Sequence, residues 1–192
     1  MIKKLLPLVL ILLVACETKN PVQALPDITF SQFPRLTLNV GRIDVSSSYR
    51  PPLKAPNVEH LLPVSPEKAT RSWARDRLEK SSVSINHARF TIITAPVIES
   101  KLKQSSGLKG LFTKEQAERY TATVEANLEI FDDRGFRRGF ASARAQRSRT
   151  IAEDASLNQR EKMWFDLVEA LMTDFNAEME KNIRVHLVGW VR

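Results

Sequence analysis

Residues 118–135, ERYTATVEANLEIFDDRG, decide the fold. Tyr120, Ala122, Val124, Ala126, Leu128 and Ile130 alternate with polar residues. That period of two belongs to a β-strand with one face in the core and the other in water. Asp132-Asp133-Arg134-Gly135 then supplies a turn, with Gly135 where a positive φ is needed. The stretch FRRGFASARAQRSRTI, 136–151, runs back as the partner strand. The two segments form an antiparallel hairpin.

The rest of the chain is placed around this hairpin. After it, Ser156 and Gln159 fit a capping box. Trp164, Val168, Leu171, Phe175, Met179 and Ile183 then step at three and four, the stripe of a long amphipathic helix. Before it, ARFTIITAPVIESKL, 88–102, is β-branched and strand-like, with Pro96 at an edge or a bend. A helix opens with Ser65 as N-cap and Pro66 at its first position. Ala69, Trp73 and Leu78 trace one of its faces to about residue 80, with Trp73 as the core anchor. RLTLNVGRIDV, 35–45, reads as a strand with a bulge at Gly41. The segment 46–66 is a proline-rich loop, of the kind that wraps a surface or carries function. The order β-α-β-β-β-α implies an α+β two-layer sandwich. Its antiparallel sheet has about four strands, and both helices lie on one face.

The amino terminus, MIKKLLPLVLILLVAC, has a different character. Lys3 and Lys4 precede an apolar run from Leu5 to Ala15. As a helix that run spans roughly 17 Å, short of the ~30 Å hydrocarbon core of a bilayer. Residues 1–15 therefore read as a signal peptide. Residues 16–34, with three prolines, read as a flexible tether, and 35–192 as a single domain. The chain has one cysteine, Cys16, so an internal disulfide is excluded. Formal net charge is +7, which suits an anionic lipid partner or simple surface solubility.

Catalytic motifs are sparse. His60, His87 and His186 lack metal-ligand spacing. There is no P-loop, no GxGxxG and no GxSxG. Ser65 and Lys68 match SxxK, but Ser65 is explained as a helix cap and the SDN and KTG partner motifs are missing. No enzymatic activity, metal or cofactor is expected. Two non-catalytic features remain. One is a run of arginines, Arg134, Arg137, Arg138, Arg144, Arg147 and Arg149, preceded by Lys109 and Lys114. They suit anion or partner binding. The alternative is an edge strand that is guarded by charge and paired to Glu125 and Glu129 across the hairpin. Simple alternation puts Arg138 and Arg144 on one face and Arg137, Arg147 and Arg149 on the other. The second feature is SSGLKGLFTK, 105–114, where Leu108, Leu111 and Phe112 sit among lysines. It suits a membrane or partner loop, or a staple over the end of the sandwich.

Leu13-Val14-Ala15-Cys16 resembles the lipobox of bacterial lipoproteins. That resemblance implies cleavage before Cys16 and lipid attachment to its thiol. Glu17, where an aspartate would favour inner-membrane retention, implies the periplasmic face of the outer membrane. Nucleic acid is not an expected partner there. The domain, through AERYTATVEANLEI, ASARAQRSRT and REKMWFDLVEALMTDFNAEMEKNIR, resembles the lipopolysaccharide-assembly lipoprotein that plugs an outer-membrane translocon barrel. It departs from that family in the insert at 46–66 and in the residues after Cys16. It is also similar to the auxiliary lipoproteins of lipid-transport ABC systems. These resemblances imply a non-enzymatic role in envelope lipid or lipopolysaccharide transport. The implied partners are an outer-membrane β-barrel or an ABC transport component, anionic lipid or lipopolysaccharide, and the membrane through acyl chains. The alternatives are an activator or scaffold of a cell-wall synthase and, more remotely, a peptidoglycan-acting enzyme.

Overall fold

The alternation at 120–130 becomes the longest strand of a computed structural model that describes residues 25–81, 84–102 and 116–192. In chain order the elements are β1 (Leu36–Leu38), β2 (Arg42–Ser47), α1 (Pro66–Arg77), β3 (Leu78–Lys80), β4 (His87–Thr94), β5 (Val97–Lys101), β6 (Gln116–Phe131), β7 (Arg137–Ala152) and α2 (Leu157–His186). Strands β6 and β7 are 16 residues each and pair along their whole length. At ~3.3 Å per residue the hairpin is about 50 Å long. Strands β4 and β5 share the other edge of β6, β4 against 125–131 and β5 against 118–122. They are one strand position broken at Ala95-Pro96. Proline has no N–H to give the ladder, but its carbonyl still accepts from Thr123 N at 3.0 Å. Strand β2 completes the sheet beside β4.

Both helices cover one face, giving the α+β two-layer architecture. Phe90 and Ile92 of β4, the even-numbered residues Tyr120–Ile130 of β6, and Ala141, Ala143 and Ala145 of β7 are buried beneath them. The alanines let α2 lie close to β7. Trp73 of α1 stacks on Phe90 at 5.5 Å and meets Phe175 of α2 edge-on at 5.3 Å, so one indole joins sheet and both helices. The whole expected stripe of α2, Trp164 to Ile183, is buried. Ser65 accepts from Lys68 N, and Ser156 and Gln159 form the reciprocal capping box.

Between the helices lies a polar lock. Asn176 Oδ1 accepts from Trp73 Nε1 at 2.8 Å and from Arg77 Nε at 3.0 Å. The guanidinium of Arg77 is fully buried and also donates to Pro34 O and Glu180. Burial pulls its pKa down, and the facing Glu180 carboxylate opposes that pull. The lock reaches back to the segment ahead of β1. Phe33 lies against the Arg77 guanidinium at 5.3 Å. Phe30 N donates to Asp76 Oδ2 at 3.0 Å, and Ile28 and Phe30 are buried. Burial works against the Asp76 carboxylate, but hydrogen bonds from Phe30, Arg75 and Thr29 hold its pKa below the usual range. Residues 25–34, read from composition as part of a flexible tether, are therefore strapped across the helices. Cys16 and residues 1–15, the expected signal peptide, lie outside the described residues.

Several boundaries differ from expectation. The strand read at 35–45 is two strands, because the chain passes beneath residues 84–86 at Gly41. A Cβ there would sit 2.2 Å from Ser84 O, and Gly41 N bonds Asn86 O at 2.8 Å. Strand β1 leaves the main sheet and pairs in parallel with β3. The expected helix to residue 80 stops at Arg77, where buried Leu78 turns extended to meet Leu36. The main sheet is antiparallel except that β2 runs parallel to β4. Helix α1 lies between those two strands in the chain, and a crossover of that length permits a parallel pair. The loop after β2 does wrap the surface: Val58 N and Glu99 N bond Val97 O and Pro56 O along the edge of β5. Buried Glu59 anchors it, accepting from Tyr49 Oη at 2.6 Å and Val97 N at 3.1 Å.

Replacing Asn176 with Leu would leave an indole N–H and a buried guanidinium short of an acceptor. A loss of about 3 kcal/mol is expected, read from urea unfolding. Asn176→Asp keeps the acceptor and should cost clearly less; equal losses would remove the lock from the account.

Candidate functional site

The turn between β6 and β7 is organised by Asp132. Its Oδ1 accepts from Arg134 N at 3.0 Å and Phe136 N at 2.8 Å, and its Oδ2 takes Arg138 Nε at 2.7 Å. Gly135 has φ +83°, as the turn requires. Burial raises the Asp132 pKa, but these hydrogen bonds and the Arg138 charge outweigh it and hold the carboxyl below its usual value.

Here the arginine faces depart from simple alternation. Ile130 pairs with Gly139 but Phe131 pairs with Arg137, so Arg138 is an extra residue on β7. This β-bulge reverses the parity beyond it. Arg137 therefore joins Arg144 on the uncovered face of the sheet, not Arg147. Arg137 reaches Glu129 at 3.0 Å and Arg144 reaches Glu125 at 3.2 Å. Arg147 turns to the helix side, where its Nη2 bonds Asp174 Oδ1 at 2.7 Å. Hydrogen bonding to Asp174 and the charge of that carboxylate raise the Arg147 pKa. The four expected binding arginines thus divide among four carboxylates and form no single bare patch. Arg134 and Arg149 have no ion pair among the described residues. Lys109, Lys114, Leu108, Leu111 and Phe112 lie outside the described residues.

Aromatic rings give the turn its second character, which the arginine count alone missed. Arg137 lies over Phe140 at 5.1 Å, Arg138 over Phe136 at 5.9 Å, and Arg89 over Phe131 at 4.8 Å. His87 stacks on the same Phe131 at 5.2 Å. Phe136 is 61% exposed and Phe140 40%. The flanking phenylalanines of FRRGF were visible in the sequence. Arg89 and His87 come from β4, which only strand pairing brings alongside. Gly139 faces Leu187 and Trp190, which places the end of α2 at this same tip. There Val185 and Val188 are also exposed, Val188 at 76%.

The opposite end holds the first described residues. Leu25 and Pro26 line a shallow groove with Leu61, Val64, Lys68 and Glu161, at the starts of both helices. Helix α2, 30 residues and about 45 Å long, separates the two ends. Near its start, Tyr120 Oη donates to Glu118 Oε2 at 2.6 Å, and Arg160 bonds both. A larger groove of about 620 Å³ lies between the strap and α2; its charged lining is Asp27, Arg149, Asp166 and Glu169. Among the described residues no group of His, Cys, Asp or Glu is placed to hold a metal, and no helix is long and apolar enough to cross a membrane.

No protein-family model matches the chain, and no curated protein does. Among solved structures it is similar to rare lipoprotein B from Shewanella oneidensis, at 12% identity over 73% of this chain and 92% of that one, with a TM-score of 0.38. A minor lipoprotein from Acinetobacter baumannii shares 10% identity over 80% of this chain and 96% of its own, with a TM-score of 0.37. A Xanthomonas campestris protein of the DUF330 family shares 10% identity, over 81% and 89%, at 0.31. At this level the likenesses carry no argument about function.

The Asp132 geometry gives a pH signature. Its folded pKa lies below the ordinary 3.8, so the carboxylate holds the turn at neutral pH and releases it as pH falls through that lower value. Hydrogen exchange at Arg134 and Phe136 should accelerate in acid beyond the intrinsic pH trend. In Asp132→Ala it should already be fast at neutral pH. Unchanged protection in the variant would contradict this.

Proposed function

We propose that the chain is a lipid-anchored envelope protein that acts by binding and not by catalysis. The observation that carries the reading is the opposition of its two ends. The first described residues of the segment that follows Cys16 in the chain, Leu25 and Pro26, lie at the starts of the helices. The aromatic–arginine turn stands at the far end of a hairpin about 50 Å long. A cysteine acylated behind the LVAC box would hold the first end at the outer membrane's periplasmic face. The turn would then be offered to whatever lies beyond. Exposed aromatics beside arginines are the residue types that dominate binding energy at protein surfaces.

The process we favour is transport or assembly of envelope lipid or lipopolysaccharide. An outer-membrane β-barrel or an ABC transport component would be the protein partner, and anionic lipid the cargo. Lys109 and Lys114, with Leu108, Leu111 and Phe112, belong to the stretch of chain between β5 and β6. They are proposed as a second contact with membrane or partner. A tethered activator of a cell-wall synthase has the same two-ended logic and is separated by partner identity.

Cys16→Ser should move the protein from the membrane to the water-soluble fraction; retention in membranes would refute the anchor. Crosslinking in intact cells from position 136, followed by purification, should return a β-barrel or transporter subunit. A synthase instead would favour the second reading. Reversing Arg137, Arg138 and Arg144 to Glu together should abolish that crosslink. If it persists, these arginines serve only the hairpin.

A further inference from the structure

Strand β7 forms an edge of the sheet, and its backbone can be accounted for group by group. Thr123 N bonds Pro96 O, so the polar groups of Thr123 point away from β7. Thr123 pairs with Gln146, and in such a pair both residues direct their N–H and C=O away from each other. The Gln146 groups therefore point out of the sheet, and so by alternation do those of Ser142, Arg144, Ser148 and Thr150. The Ser142 carbonyl bears this out, since it accepts from Asn182 Nδ2 of α2 at 2.7 Å. From Arg144 to Thr150 the outward groups have no partner among the described residues. Residues 146–150 are exposed on both faces. An unpaired edge of this length is a template for another strand.

Charge identifies the occupant. Strand β7 carries five arginines and no acidic residue. A second copy docking edge to edge would set Arg144, Arg147 and Arg149 against their own kind, which costs stability. An extended segment with acidic residues at every second position would instead place carboxylates beside Arg144 on the uncovered face. Arg149, with no ion pair among the described residues, adds positive charge on the other face.

We infer that the edge of β7 from Arg144 to Thr150 binds an extended acidic segment of a partner protein by strand addition. This goes beyond the proposed envelope role and does not depend on lipidation of Cys16. Partner specificity would then be written in backbone pairing plus alternating charge.

The test uses the full chain purified in a nonionic detergent and nine-residue acetylated peptides that alternate glutamate with valine. Binding is read by fluorescence anisotropy. The glutamate peptide should bind at least tenfold more tightly than the same peptide with lysine. Two further peptides are N-methylated, each on one alternate set of amides. One should lose at least tenfold and the other should not, because only alternate amides of an added strand face β7. Gln146→Pro removes an outward N–H without touching the β6 ladder and should also lose tenfold, with the melting temperature near that of the parent. If that variant fails to fold, the methylated pair decides. Equal binding of the glutamate and lysine peptides, or equal effects of the two methylation patterns, overturns the inference. So does a dimer of the free protein that Gln146→Pro splits, since the edge would then belong to a second copy.

Discussion

Strand β6 has neighbours along both edges and a helix layer on one face. Its six inward residues, Tyr120 to Ile130, are all fully buried. Strands β4 and β5 register on one side, β7 on the other, and α2 packs across the result. A slip of one residue would turn all six to solvent. The position of the turn is therefore set along this strand.

The helix layer has a different kind of order. Apolar packing would hold α1 against α2 at many angles of similar energy. The shared carbonyl of Asn176 narrows the choice, because a buried indole N–H and a buried guanidinium both need it. The same guanidinium takes Pro34 O, so the path of the chain before β1 is fastened to the helix pair. The polar contact that orients the helices thus also fixes Pro34 at the end of α1.

The arginines of β7 illustrate how neutralisation and function can share residues. Most are already met by a carboxylate from β6, the turn or α2, which accounts for their tolerance in a long edge strand. Their number still leaves the strand without any negative charge of its own. Among the described residues, what lacks partners along Arg144–Thr150 is chiefly the outward backbone. Counting charges in the sequence directs attention to anion binding, whereas following the ladder directs it to strand pairing.

Much of this was legible from local pattern. The period-two run of β6, the positive-φ Gly135, the caps at Ser65 and Ser156 and the stripe of α2 depend on neighbours within a few residues, and the sequence alone determined them. Tertiary structure decided what depends on distant partners. Gly41 divides a strand because residues 84–86 cross it, and Leu78 leaves the helix to meet Leu36. The bulge at Arg138 moves Arg137 to the other face, since Gly139 must lie beneath Leu187 and Trp190. No local period records such demands, because each is set by an atom more than forty residues away in the chain.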